Sequence, residues 1–225
     1  MGTQEEVRPS FYALRPGGWR DYVTLLHLPY TAWHLSYVAV GAAIAPRFHL
    51  DRLCWALLAF FLAMGVAAHA LDELKGRPLR TRIPDWVLVA LSISGVAAAA
   101  AIGVGAAIAW GYGLLVFIVV GAVLVPAYNL ELAFHNDVGF ALAWGAFPAL
   151  TGYFVEAQTL RLDAIAVAIY AFALSLAQRA LSTPVRRARR ETGTTAGTEP
   201  LERALRLLTL AAVALSVALV AARLR

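Results

Sequence analysis

Two short stretches place ionisable residues, of the kinds that hold cations or move protons, inside an otherwise apolar chain. In "AAHALDELKGRPLRTRIPD", residues 67–85, His69 stands three residues before Asp72 and four before Glu73. On a helix all three therefore lie one turn apart on one side. In "PAYNLELAFHNDVG", residues 126–139, Glu131 and His135 repeat the i, i+4 spacing, with Tyr128 and Asn129 before them and Asp137 after. Carboxylates beside imidazoles at this spacing can hold a divalent cation or pass a proton between an acid and a base. Lys75, Arg77, Arg80 and Arg82 follow the first cluster and would suit an anionic group. The bland alternative is that Asp72 and Glu73 only mark a water interface and pair with Lys75 or Arg77, where such pairs contribute little.

The elements that must carry these residues follow from composition. The 225 residues are 60% hydrophobic and 15% charged, with a mean hydropathy of +0.68. That balance lies outside the range of soluble domains. A bilayer core needs roughly 20 apolar residues per helix. Seven blocks of about that length are bounded by charge: 21–45, 52–74, 85–109, 111–130, 137–156, 162–183 and 203–223. Alternating segments of the barrel kind do not recur. The expected fold is all-α, a polytopic membrane bundle of seven transmembrane helices. The two acidic clusters then sit at the ends of the second and fourth helices, on one membrane face, where ionisable groups are costly and usually face a cavity or one another. Phe140, Trp144, Phe147, Tyr153 and Tyr170 are candidates for the apolar wall of such a cavity. Cys54 is the only cysteine, which excludes an internal disulfide and a thiolate metal cage.

With the N-terminus in the cytoplasm, 14 lysines and arginines fall inside and five (Arg47, Arg52, Arg161, Arg223 and Arg225) fall outside. The bias orients the protein and puts the C-terminus outside. It also accounts for the net charge of +5 without nucleic acid as a partner. The organisation expected is a cytoplasmic segment 1–20, a six-helix core 21–183, a cytoplasmic linker 184–202 that lacks apolar anchors, and a last membrane helix 203–225. His27, His34 and His49 read as structural or interfacial, and Trp19, Trp86 and Trp110 as interface anchors. Gly95, Ala99, Gly103 and Ala107, four apart, make a close-packing face.

The segment "ELKGRPLRTRIPD" resembles the end of the first acidic motif of the UbiA superfamily of intramembrane prenyltransferases. "LLHLPYTAWHLSYVAVGAAIA" is similar to that family's first helix, and "AYNLELAFHNDVGFALAWGAFPALTGYF" to its fourth and fifth. The resemblance covers residues 12–182 and implies a UbiA-like core that acts on a prenyl diphosphate. It implies Mg²⁺ on Asp72 and Glu73, with Asp137 near; Arg77, Arg80, Arg82, Tyr128 and Asn129 toward the substrate; and His69, Glu131 and His135 in proton transfer or ligation. The chain departs from the family at several points. His69 stands where an Asp is usual, and Glu131 where a cation is usual. The stretch "SLAQRALSTPVRRARR" has no carboxylate where a second acidic motif belongs, and seven helices stand where nine are usual.

Three functions follow. The first is a divergent UbiA-like enzyme that transfers or cyclises an isoprenoid lipid. The second is a non-catalytic UbiA-like lipid-binding or assembly subunit with a partner in a membrane complex. The third takes the two acid and imidazole pairs as a zinc or iron site for hydrolysis or oxidation in the membrane.

Overall fold

Apolar side chains point outward over much of this molecule, and alanine and glycine fill its inside. The computed structural model describes residues 8–132, 135–191, 193–194 and 196–225, and within them the chain forms eight helices and no strand. These are α1 (Trp19–Leu25), α2 (Leu28–Ile44), α3 (Leu50–Leu74), α4 (Asp85–Trp110), α5 (Leu114–Asn129), α6 (Asp137–Ala157), α7 (Leu162–Glu191) and α8 (Glu199–Arg223). Five of them, α3, α4, α6, α7 and α8, are long and apolar enough to cross a membrane, and α5 is a shorter apolar helix. Ile93 and Ile108 on α4, Val116 and Val119 on α5, and Leu210 and Val217 on α8 are exposed. Outward isoleucine and valine with small residues inside is the arrangement of a membrane-embedded bundle, where backbones approach closely and lipid replaces water.

The centre is α2, packed between α6 and α8. It meets α6 through glycines that nothing larger could replace. A Cβ at Gly152 would lie 2.1 Å from the Val38 carbonyl oxygen, and one at Gly41 would lie 2.1 Å from that of Ala149. Trp33 and Tyr37 are fully buried on the same helix, where the Trp33 indole N–H donates to the Tyr37 hydroxyl at 2.5 Å.

Two element boundaries differ from expectation. The block 21–45 is broken rather than continuous, because the chain turns at His27, whose φ of 46° is left-handed. Pro29 suits the restart: its fixed φ and missing N–H cost nothing in a first turn. The expected linker 184–202 is also largely helix. α7 runs through Pro184 to Glu191, since Val185 and Arg189 are buried and Arg189 is held by Glu202 of α8, with its Nε–H at 3.0 Å. Residues 1–7 of the expected N-terminal segment and residues 192 and 195 of the expected linker lie outside the described residues.

Helix ends gather at two poles. At one pole, Arg223 at the end of α8 donates to the carbonyls of Ala45 and Pro46 after α2, and Arg52 of α3 donates to that of Val155 in α6. At the other pole lie the start of α2 and the ends of α3, α5 and α7. Short π-helical turns in α3 (Phe61–Ala68) and α6 (Leu142–Ala146) leave carbonyls that cavity residues use.

Candidate functional site

The loop that follows α3 is built around Glu73. This carboxylate is fully buried and accepts from the Leu79 N–H at 2.9 Å and from both the Thr81 N–H and hydroxyl at 2.8 Å. Arg77 reinforces the loop by donating to the Ile83 carbonyl at 2.6 Å and pairing with Asp85. Asp21 of α1, also buried, accepts from the Arg82 N–H at 2.9 Å. "ELKGRPLRTRIPD" therefore acts mainly as a self-capped turn. Its backbone is left-handed at Arg77 and Arg80, a conformation that costs such residues about 1–2 kcal/mol each and that Glu73 and Arg77 offset.

Above this turn opens a cavity of about 450 Å³. Asp72, one residue from Glu73, faces it with His69 from α3; Tyr128, Asn129, Glu131 and His135 come from the end of α5. Both helix ends thus line one cavity. Lys75 joins them, donating to the Leu130 carbonyl at 3.2 Å and pairing with Glu131 at 2.7 Å. His135 stacks on Tyr128 and donates to its carbonyl at 3.0 Å. Among the other expected site residues, Arg80 lines the cavity, whereas Glu73, Arg77, Arg82 and Asp137 do not. Asp137 instead accepts from Arg179 at 2.9 Å. The aromatic candidates divide as well. Phe140 and Trp144 line the cavity, Phe147 lines a neighbouring groove, and Tyr153 is core, donating to Asp163 at 2.8 Å.

The structure adds residues that the spacing of acidic motifs did not reveal. His27 and His34 stand in the cavity wall, His27 stacked on His69 with ring centroids 4.0 Å apart. Nδ1–H of His34 donates to the Trp144 carbonyl at 2.8 Å, and that of His69 to the Gly65 carbonyl at 3.2 Å. Both acceptors lie in the π-turns, and each bond leaves a bare Nε2 for the cavity. Tyr12, in the segment before α1, closes another side with its hydroxyl 2.9 Å from His27 Nδ1. From α7 come Gln178, Ser182, Thr183 and Arg186. Their signal was present in the spacing Gln178, Ser182, Val185, Arg189, which keeps helical periodicity through Pro184.

No family model, curated protein or solved structure matches the chain. The chemistry must then be read from the cavity itself. Burial holds the His27 imidazole well below the ordinary histidine value, with the His69 ring and Arg186 acting in the same direction, so it is neutral near pH 7. Burial also raises the Tyr12 phenol, which stays protonated. The hydrogen bond from Lys75 keeps Glu131 below the usual glutamate range. The donor set does not fit a carboxylate-built magnesium clamp. Asp72 is the one expected metal ligand that faces the cavity, because Glu73 caps the loop and Asp137 accepts from Arg179.

A second, apolar groove of about 120 Å³ lies between α3, α4, α5 and α6. Phe60, Val96, Phe117, Gly121 and Phe147 line it. Met64 and Trp144 belong to its wall and also to the wall of the polar cavity, so the two spaces adjoin.

Proposed function

We propose that this chain is a UbiA-like membrane enzyme that binds an isoprenoid lipid with a phosphate-type head and acts on it by allylic transfer or cyclisation. One observation carries the reading: a cationic and imidazole-lined cavity adjoins an apolar groove across Met64 and Trp144, which suits an amphiphile with an anionic head and a hydrocarbon tail. The resemblance of "ELKGRPLRTRIPD" and of the first, fourth and fifth helical segments to the superfamily supports the class of lipid. The proposed topology has seven passes, α2 through α8, with the N-terminus and the cavity on the cytoplasmic side and the C-terminus outside. Its support is the excess of 14 inside cations over five outside ones.

In this reading the allylic C–O bond breaks heterolytically and its electron pair leaves with the diphosphate. Arg186 meets the charge that develops on the leaving group, and Asp72 faces the allylic cation. An electron-rich double bond or aromatic ring, in the same lipid or in an acceptor, supplies the electrons of the new C–C bond. The proton then lost goes to His69 Nε2, whose Nδ1–H is anchored on Gly65. Mg²⁺, expected from the resemblance, would supply charge neutralisation on the diphosphate, but the donors present do not fit a clamp for it.

Purified protein in nanodiscs, supplied with prenyl diphosphates of graded length, is expected to release inorganic diphosphate and form a prenylated or cyclised product. Asp72→Asn should slow this by about 100-fold, the scale of a lost electrostatic contact in a transition state. Saturable binding with no turnover at any chain length or acceptor would instead leave the lipid-binding subunit reading.

A further inference from the structure

Six carboxylates of the cavity end are already engaged among the described residues. Glu73 caps the loop, Asp21 holds Arg82, Asp85 pairs with Arg77, Glu131 with Lys75, Asp137 with Arg179, and Glu202 with Arg189. The cations do not balance this count. Arg186 projects into the cavity and forms no salt bridge or side-chain hydrogen bond among the described residues. Ionisable Arg179 and Asp72 and the neutral phenols of Tyr30 and Tyr128 lie around it. A guanidinium that faces a cavity without a bidentate partner is poised for an oxyanion.

A second observation points the same way. Among the described residues four buried side-chain atoms lack a hydrogen-bond partner, and three of them, His27 Nε2, Gln178 Oε1 and Thr183 Oγ1, belong to residues of this cavity wall. Gln178 is itself only 4% exposed. In the tautomer where the Tyr12 hydroxyl donates to His27 Nδ1, the imidazole proton sits on Nε2, an unused donor. The Thr183 hydroxyl is another. Unsatisfied buried polar atoms are rare in folded proteins, and a cluster of them in one wall marks where a ligand completes the bonds.

We infer that the cavity binds the phosphate-type head of its lipid without a divalent cation, with Arg186 as the counter-charge and His27 Nε2–H and the Thr183 hydroxyl as further donors to its oxygens. The inference rests on the cavity being the head-group site proposed above and assigns what recognises the head. It also fixes the part of Asp72 in binding. A metal bridge would need this carboxylate to hold the head, whereas in direct guanidinium recognition its charge opposes the incoming anion.

The test uses the full-length protein in uncharged phosphatidylcholine nanodiscs. Binding of farnesyl diphosphate, inorganic diphosphate and lysophosphatidic acid is measured with excess magnesium and with EDTA. Farnesyl diphosphate is expected to bind equally in both. Arg186→Gln should weaken it by about tenfold or more, and Arg186→Lys should recover part of the loss. Arg187→Gln, outside the cavity, should change nothing, and Asp72→Asn should bind as well as or better than the parent. Thermal unfolding of each variant confirms the fold.

Magnesium-dependent binding that Asp72→Asn abolishes overturns the inference while leaving the isoprenoid reading intact. EDTA-resistant, Arg186-dependent binding of lysophosphatidic acid or inorganic diphosphate, but not of farnesyl diphosphate, does the reverse. Binding by Arg186→Gln equal to the parent for every probe, or no binding of any probe, sinks the inference.

Discussion

The two poles of the bundle use similar residues to opposite ends. At the pole away from the cavity, buried Glu156 accepts from the backbone N–H and the ring of His49, both at 2.9 Å, and Tyr153 donates to Asp163. Arg52 and Arg223 cap carbonyls at helix ends. These acids and bases hold helices to one another. At the cavity pole the same residue types leave Asp72, Arg186, His27 and Thr183 facing an opening of about 450 Å³. An ionisable residue in an apolar bundle is therefore informative about function through what it faces, more than through its presence.

Neighbouring Asp72 and Glu73 repeat this contrast one residue apart, and substituting Glu73 is the strongest way to break it. Glu73→Ala removes the acceptor of three buried donors, which should cost about 3–5 kcal/mol and appear as a large drop in thermal unfolding temperature, with ligand binding lost only as the fold is lost. A smaller loss, about 1–3 kcal/mol, is expected for Glu156→Ala at the far pole, where His49 would lose its partner. Head-group binding by that variant should be unchanged. If it fell with stability intact, the functional separation of the poles would be refuted.

Acid should weaken the cavity pole next. His27 is held neutral in the fold but can protonate once unfolded, so below about pH 6.5 the unfolded chain binds the extra proton and stability falls as pH falls, by at most about 1.4 kcal/mol per pH unit. His27→Gln should flatten this part of the profile. Asp72→Asn should shift stability by less than about 1 kcal/mol, because its carboxylate anchors no backbone donor, while turnover collapses. The smallest effect belongs to Glu131→Gln: its side chain is 49% exposed in the pair with Lys75, and the unfolding temperature should not move measurably.

Apolar blocks and charge placement alone determined the all-helical, membrane-embedded class and brought His69, Asp72 and the end of α5 to one face, because hydrophobic length and helical spacing are local properties of a chain. They could not say which of two adjacent acids turns inward. Successive side chains on a helix diverge by about 100°, and only the packing of the loop 75–84 decided that Glu73 would be capped and Asp72 left open. Nor could they show that residues 184–191 continue α7, since Pro184 and four nearby arginines read locally as the start of a linker. Burial of Val185 and the hold of Glu202 on Arg189 override that local preference. The partners of the site, His27 before α2, Tyr12 before α1 and Arg186 near the end of α7, are far apart along the chain. Their meeting in one cavity is a product of tertiary packing, which no local spacing encodes.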